Sequence, residues 1–150
     1  MSDSRSAQLI QLHRDLLFAS ISVAGNMEIK KSLLNIVMKT DGVRQIFITD
    51  KDGVLVVYST RLQGDNSSFR AHLINCYQLA LEHTAKLNIG EQRTAIFCFE
   101  NYQMVILNFN GLMAFIIADT DCPAGKLRDL RTPLNPIMEE ISGAFSASHV

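Results

Sequence analysis

Four histidines and three cysteines are the side chains of this sequence best suited to metal binding or nucleophilic chemistry. His72 and Cys76 stand four residues apart, a spacing that turns both onto one face of a helix and can offer two ligands to a metal. Two ligands without a second cluster do not make a site, and His149 stands next to the terminus, where disorder is expected. A catalytic thiol needs a histidine beside it and a depressed pKa. Cys98 falls within an expected strand, and Cys122 precedes Pro123 with Asp119 and Asp121 nearby, carboxylates that raise a thiol pKa. Asp50 and Asp52 before Gly53 suggest a calcium loop. Alignment on Gly53, however, puts Ile48 and Ser59 where the first and last carboxylates belong. Dinucleotide, P-loop and nucleophile-elbow patterns are absent. The sequence therefore offers no catalytic residue, no metal site and no cofactor site.

The chain has 150 residues, 47% of them hydrophobic, with a formal net charge of −1. That is one domain with enough apolar surface for a core, and too little net charge for a disordered chain. A charge near zero gives no case for binding nucleic acid or an anionic bilayer. Phe47, Tyr58, Phe97, Phe99, Phe109 and Phe115 fall in expected strands without a basic stripe, so they serve a core and not base stacking. Widely spaced Cys76, Cys98 and Cys122 read as reduced thiols of an intracellular protein. The longest apolar run, Gly111 to Ala118, stops far short of the ~18 residues that span a membrane. Leu16 to Gly25 has the look of a signal segment, but Asp15 stands directly before it and Ser20 and Ser22 interrupt it. Residues 1–25 are expected to be an N-terminal extension. It is either disordered or an amphipathic helix from about Ala7 to Ile21 on Leu9, Leu12 and Leu16. Ser2 in place of glycine leaves no myristoylation motif.

From Asn26 the punctuation is clear. Asn26 is placed to cap a helix that Gly42 stops, with Ile29, Leu33 and either Ile36 or Val37 as its apolar stripe. Val43 to Thr49 and Val54 to Ser59 read as strands joined by the turn cluster Asp50-Lys51-Asp52-Gly53. Ser67 or Ser68 then caps a long helix to about Leu87, with Phe69, Leu73, Ile74, Tyr77, Ala80, Leu81 and Leu87 on one broad face. Beside that face runs a mixed stripe of His72, Cys76, Leu79 and His83, which fits either a neighbouring chain or a solvated flank. Strands follow at Arg93 to Phe99, Gln103 to Phe109 and Leu112 to Ala118, the last two joined by the hairpin dipeptide Asn110-Gly111. Their continuous apolar runs require cover on both faces of the sheet. Arg93 to Phe99, less uniformly apolar, is the candidate edge for addition of another strand. A last helix carries Leu127, Leu130, Leu134, Ile137 and Ile141, kinked or restarted at Thr132-Pro133. The expected architecture is an α/β domain over residues 26–145, ordered α-β-β-α-β-β-β-α. It holds a five-stranded, mostly antiparallel sheet with helices on both faces, and residues 146–150 form a disordered tail.

This order and spacing resemble the roadblock (profilin-like) fold of small scaffold and light-chain proteins. Ile48-Thr49-Asp50-Lys51-Asp52-Gly53-Val54 resembles the first hairpin of the MEK-partner subunits of the Ragulator complex, the late endosomal and lysosomal adaptor that activates MAPK and mTOR signalling. Lys86-Leu87, Asn101-Tyr102-Gln103-Met104-Val105, and Gly125 through Asn135-Pro136-Ile137-Met138-Glu139-Glu140-Ile141 are similar to later segments of the same family. The resemblance covers about Met27 to Ile141; residues 1–25 have no counterpart, and Pro133 is an additional proline. It implies a non-enzymatic scaffold or adaptor whose third strand and second helix pair with those of another roadblock subunit. The implied partner interface is His72, Cys76, Leu79 and His83 on the helix with Arg93, Thr94, Ile96 and Cys98 on the strand. The implied partners are that second roadblock subunit as heterodimer mate, a lipidated Ragulator anchor subunit, Rag GTPases and MAPK-pathway kinases. The implied location is the cytoplasmic face of the late endosome or lysosome, peripheral and otherwise cytosolic, with membrane association only indirect. Two rival readings are a dynein light chain of roadblock type linking motor to cargo, and a ligand-sensing PAS- or profilin-like domain. The long final helix argues against the first, and the nearly solid apolar strands against the second.

Overall fold

The computed structural model describes residues 4–9 and 23–147. Residues 4–9 are helical and exposed; the rest of the expected N-terminal helix and residues 148–150 of the expected tail lie outside the described residues. The elements are α1 (Val23–Lys39), β1 (Val43–Asp50), β2 (Leu55–Thr60), α2 (Ser67–Ala85), β3 (Thr94–Cys98), β4 (Tyr102–Phe109), β5 (Leu112–Asp119), α3 (Ala124–Arg128) and α4 (Arg131–Ala147).

Side-chain alternation along the strands builds two cores. Phe47, Met104, Ile106, Met113, Phe115 and Ile117 share one face of the sheet with Ile74 and Tyr77 of α2. Phe47 and Phe115 stack there at 4.6 Å, and the Tyr77 ring meets Phe115 edge-on at 5.4 Å. On the other face Ile46, Ile48, Val105, Leu107, Ala114 and Ile116 pack against Leu33 and Val37 of α1 and Leu134, Ile137 and Ile141 of α4. The central strands are buried on both sides, which explains their continuous apolar runs. The strand order is β2-β1-β5-β4-β3, with every pairing antiparallel, so β2 and β3 are the edges.

Local details depart from expectation for identifiable reasons. α1 starts at Val23, so Asn26 lies within it and is not its cap. Its C-terminus is closed by the Arg61 guanidinium, which donates to the carbonyls of Val37 and Met38 at 2.6 and 2.7 Å, while Gly42 turns the chain at φ +89°. At the start of α2 neither Ser67 nor Ser68 is the cap; the Asp65 carboxylate accepts the Ser67 N–H at 2.9 Å. α2 ends at Ala85, before Leu87. The final helix is interrupted at Asp129 and Leu130, not at Thr132-Pro133. Pro133 sits in the first turn of α4, where its missing N–H has no intrahelical acceptor to lose. α4 then runs through Ala147, past the expected domain boundary at 145.

Candidate partner interface

The start of β3 is held from three sides. The Tyr77 hydroxyl of α2 donates to Gln92 Oε1 at 2.8 Å. Asn108 Nδ2 of β4 donates to the Gln92 carbonyl at 3.0 Å and Glu91 Oε1 at 3.2 Å. The Arg131 guanidinium of α4, 4.7 Å over the Phe109 ring, donates to the carbonyls of Arg93 and Asn108 at 3.0 and 2.8 Å. These bonds fix a short strand that would otherwise fray at the sheet margin.

The inner side of β3 is satisfied by β4. The Asn108 N–H bonds to the Arg93 carbonyl and the Phe99 N–H to the Tyr102 carbonyl, each at 2.9 Å. Antiparallel bonding alternates, so Thr94, Ile96 and Cys98 direct their N–H and C=O groups outward, away from β4. The register from Thr94↔Leu107 to Cys98↔Gln103 is unbroken. β2 differs: its register with β1 slips between Ile48 and Thr49, a bulge that blunts an edge. β3 is therefore the edge that keeps an unbroken register and turns backbone groups outward.

Exposed apolar side chains are frequent in the part of the chain that carries α2 and β3. Of the twelve exposed large hydrophobic side chains among the described residues, seven lie between residues 69 and 102: Phe69, Leu79, Leu87, Ile89, Ile96, Phe99 and Tyr102. An uncovered apolar zone of this kind marks a contact surface. Phe69 and Leu73 of α2 face Phe99, Tyr102 and Met104 across a groove of about 440 Å³.

The expected site residues fall on two faces. His72, Cys76, Leu79 and His83 are all exposed along α2, with Leu79 about 200° around the helix from buried Tyr77. Arg93 and Cys98 are exposed and Thr94 half-buried. Ile96 is 46% exposed, but its register partner Val105 belongs to the α1/α4 core, so its side chain lies on the sheet face opposite α2. The strand residues share a backbone edge with the α2 side and not one side-chain patch. Phe69 and Leu87, expected in the core, are 40% and 61% exposed; Phe69 packs over the margin of the sheet, and Leu87 lies past the helix end. Phe69, Phe99 and Tyr102 are the residues of this surface that sequence reasoning missed. The i, i+4 pair Phe69–Leu73 with an aromatic at each end of the following turn was the available signal.

Asp50 and Cys122, both weighed for chemistry, have structural roles here. Asp50 Oδ1 accepts the N–H groups of Asp52 and Val54, both at 2.9 Å, closing the hairpin turn. Burial pushes the Cys122 thiol pKa up, with Asp121 and Asp119 adding to the rise and Lys126 opposing it. Its Sγ donates to the Asp41 carbonyl at 3.6 Å. Among the described residues no group of three His, Cys, Asp or Glu side chains is placed to hold a metal.

Several known proteins are similar to this chain in sequence or in fold. A Ragulator complex protein LAMTOR3 homolog from Drosophila melanogaster is 27% identical over 119 residues, covering 79% of this chain and 96% of that protein. Ragulator complex protein LAMTOR3 of Bos taurus is 25% identical over 121 residues, covering 81% and 98%. Among solved structures, the gliding protein MglB of Thermus thermophilus aligns with TM-score 0.60 at 14% identity, over 79% of this chain and 90% of that one. A Roadblock/LC7 domain from Streptomyces avermitilis aligns with TM-score 0.57 at 12% identity, over 73% and 97%. These structures establish the roadblock fold. The family described as mitogen-activated protein kinase kinase 1 interacting matches residues 27–145, from the first turns of α1 through nearly all of α4, and the chain belongs to that family.

Proposed function

We propose that the chain is a non-enzymatic scaffold subunit of a Ragulator-type complex, forming a heterodimer with a second roadblock protein through β3 and α2. The observation that carries this reading is the unbroken outward edge at Thr94, Ile96 and Cys98 beside the exposed apolar side of α2. A partner strand on that edge extends the sheet, while its helix covers the flank of Phe69, Cys76 and Leu79. The names of the LAMTOR3 relatives supply the complex, and the family description supplies a kinase of the MAPK pathway as client. In this reading a lipidated subunit holds the assembly peripherally at the cytoplasmic face of the late endosome or lysosome, where Rag GTPases and MAPK-pathway kinases are recruited. No helix among the described residues is long and apolar enough to cross a membrane, consistent with attachment through another subunit.

Affinity purification of the chain from its own cells, followed by mass spectrometry, tests this. A second roadblock subunit, a lipidated anchor and Rag GTPases are the expected companions. Dynein intermediate chain in their place would keep the fold and replace the function. Recovery of the chain alone would overturn the heterodimer.

A further inference from the structure

At the margin of the sheet opposite β3, between α2 and β2, a buried cation stands without an acidic partner. Tyr58 pairs with Phe47 in the register of β1 and β2, which turns its ring to the α2 side, and at this edge the ring stays 39% exposed. Arg70 of α2 is only 6% exposed; its guanidinium lies 3.9 Å over the Tyr58 ring, and its Nε has no hydrogen-bond partner. The Lys30 ammonium of α1 stands 6.0 Å from the centre of the same ring. Neither cation has a carboxylate within ion-pair distance among the described residues. The Asp65 carboxylate, the acidic group nearest to Arg70 in sequence, is committed to the Ser67 N–H. Burying a charge is costly unless an acceptor is supplied, and a guanidinium stacked on a ring keeps its in-plane donors for a carboxylate.

We propose that this margin docks an acidic peptide segment of a partner protein, with a carboxylate on Arg70 and Lys30 and a neighbouring aliphatic side chain in the adjoining pocket. That pocket, about 250 Å³, is lined by Gly53, Leu55, Ser67, Arg70, Ile74 and Asn75. Gly53, Leu55 and Ile74 make its wall apolar, Arg70 brings the charge, and the exposed Asn75 amide can hold a peptide group at the rim. Pockets for whole small molecules run to about 300–1,000 Å³, so this one suits a single side chain of a larger ligand. The register slip between Ile48 and Thr49 blunts β2 for strand addition, which leaves recognition to side chains. Since β2 and β3 are opposite edges, this docking goes beyond the heterodimer and leaves β3 free for it.

Peptide display against the full chain tests it, with a library of random heptapeptides as the probe. The selected peptides are expected to share Asp or Glu beside Leu, Ile or Val. They should bind Arg70→Gln, which lacks the buried cation, at least tenfold more weakly than the parent chain. Lys30→Glu should weaken the same peptides by about threefold or more. Lys30 is exposed, so this second variant reports on the site even where Arg70→Gln lowers stability. No shared pattern, a pattern without a carboxylate, or equal binding to the parent and both variants would overturn the proposal. Phosphatidylserine vesicles that bind through Arg70 and Lys30 while no peptide is selected would assign the two cations to a membrane, which also overturns it.

Discussion

Gly53 answers both to its turn and to the helix above it. Its φ is +83°, and a Cβ there would stand 2.8 Å from Ile74 Cγ2. Gly64 has nearly the same φ, +84°, with nothing within 4 Å of its own Cβ position. Alanine at either position meets left-handed strain of about 1 kcal/mol, but only Gly53→Ala also displaces Ile74 from the α2 core. Denaturant titration should show Gly53→Ala less stable than Gly64→Ala by about 1 kcal/mol or more. Equal losses would mean that α2 yields freely at that contact. Tyr77 gives a second measurement at this scale, since burial pushes its pKa up to about 12. The protonated phenol is favoured in the folded state, so its contribution is complete below the ordinary value of 10 and is lost as pH rises towards 12. Tyr77→Phe should cost about 1 kcal/mol at pH 7 through the lost bond to Gln92. It should also flatten the fall in stability between pH 10 and 12, and an unchanged fall would assign the titration to another group.

Strand β3 can be tested with proline, because its two sides use different backbone groups. The Ile96 N–H points outward, so Ile96→Pro removes no bond to β4 yet blocks addition of a partner strand. The Phe97 N–H points inward, so Phe97→Pro breaks the ladder and destabilises the monomer by about 3 kcal/mol or more. Ile96→Pro is expected to keep monomer stability within about 1 kcal/mol and to lower heterodimer recovery at least tenfold. Normal recovery with Ile96→Pro would remove β3 from the interface. The sequence carried the edge position of this strand, since fewer apolar residues mean less cover. It did not carry the face of Ile96: in a strand of five residues only the register with Val105 decides which way the side chain points. The β4–β5 hairpin was readable from Asn110-Gly111, whose φ values of +51° and +103° are those the turn requires. Helix projection ranked Phe69 and Leu87 with the core by angle, but the width of the sheet under α2 and the end of the helix come from long-range packing that periodicity does not encode.

At the scale of the whole molecule the two faces of the sheet divide the work. One face is closed by α1 and α4, whose core runs from Ile29 to Ile141. The other is closed by α2 alone, whose smaller core leaves Phe69, Phe99 and Tyr102 uncovered towards β3. A single helix does not cover a face of five strands, and the uncovered remainder lies beside the edge with free backbone groups. In the proposed heterodimer, pairing through that margin completes the second core without disturbing the first. Hydrogen exchange, compared with and without the co-purified roadblock partner, should therefore slow across α2, β3 and the β3–β4 turn, about residues 69–102, by tenfold or more. Exchange in α4 should stay unchanged, because its core is already closed in the single chain. Slowing confined to α1 or α4 would place the partner on the closed face and sink the β3 interface. Slowing spread evenly over all elements would instead mean that the lone chain folds only marginally and that the partner stabilises it as a whole.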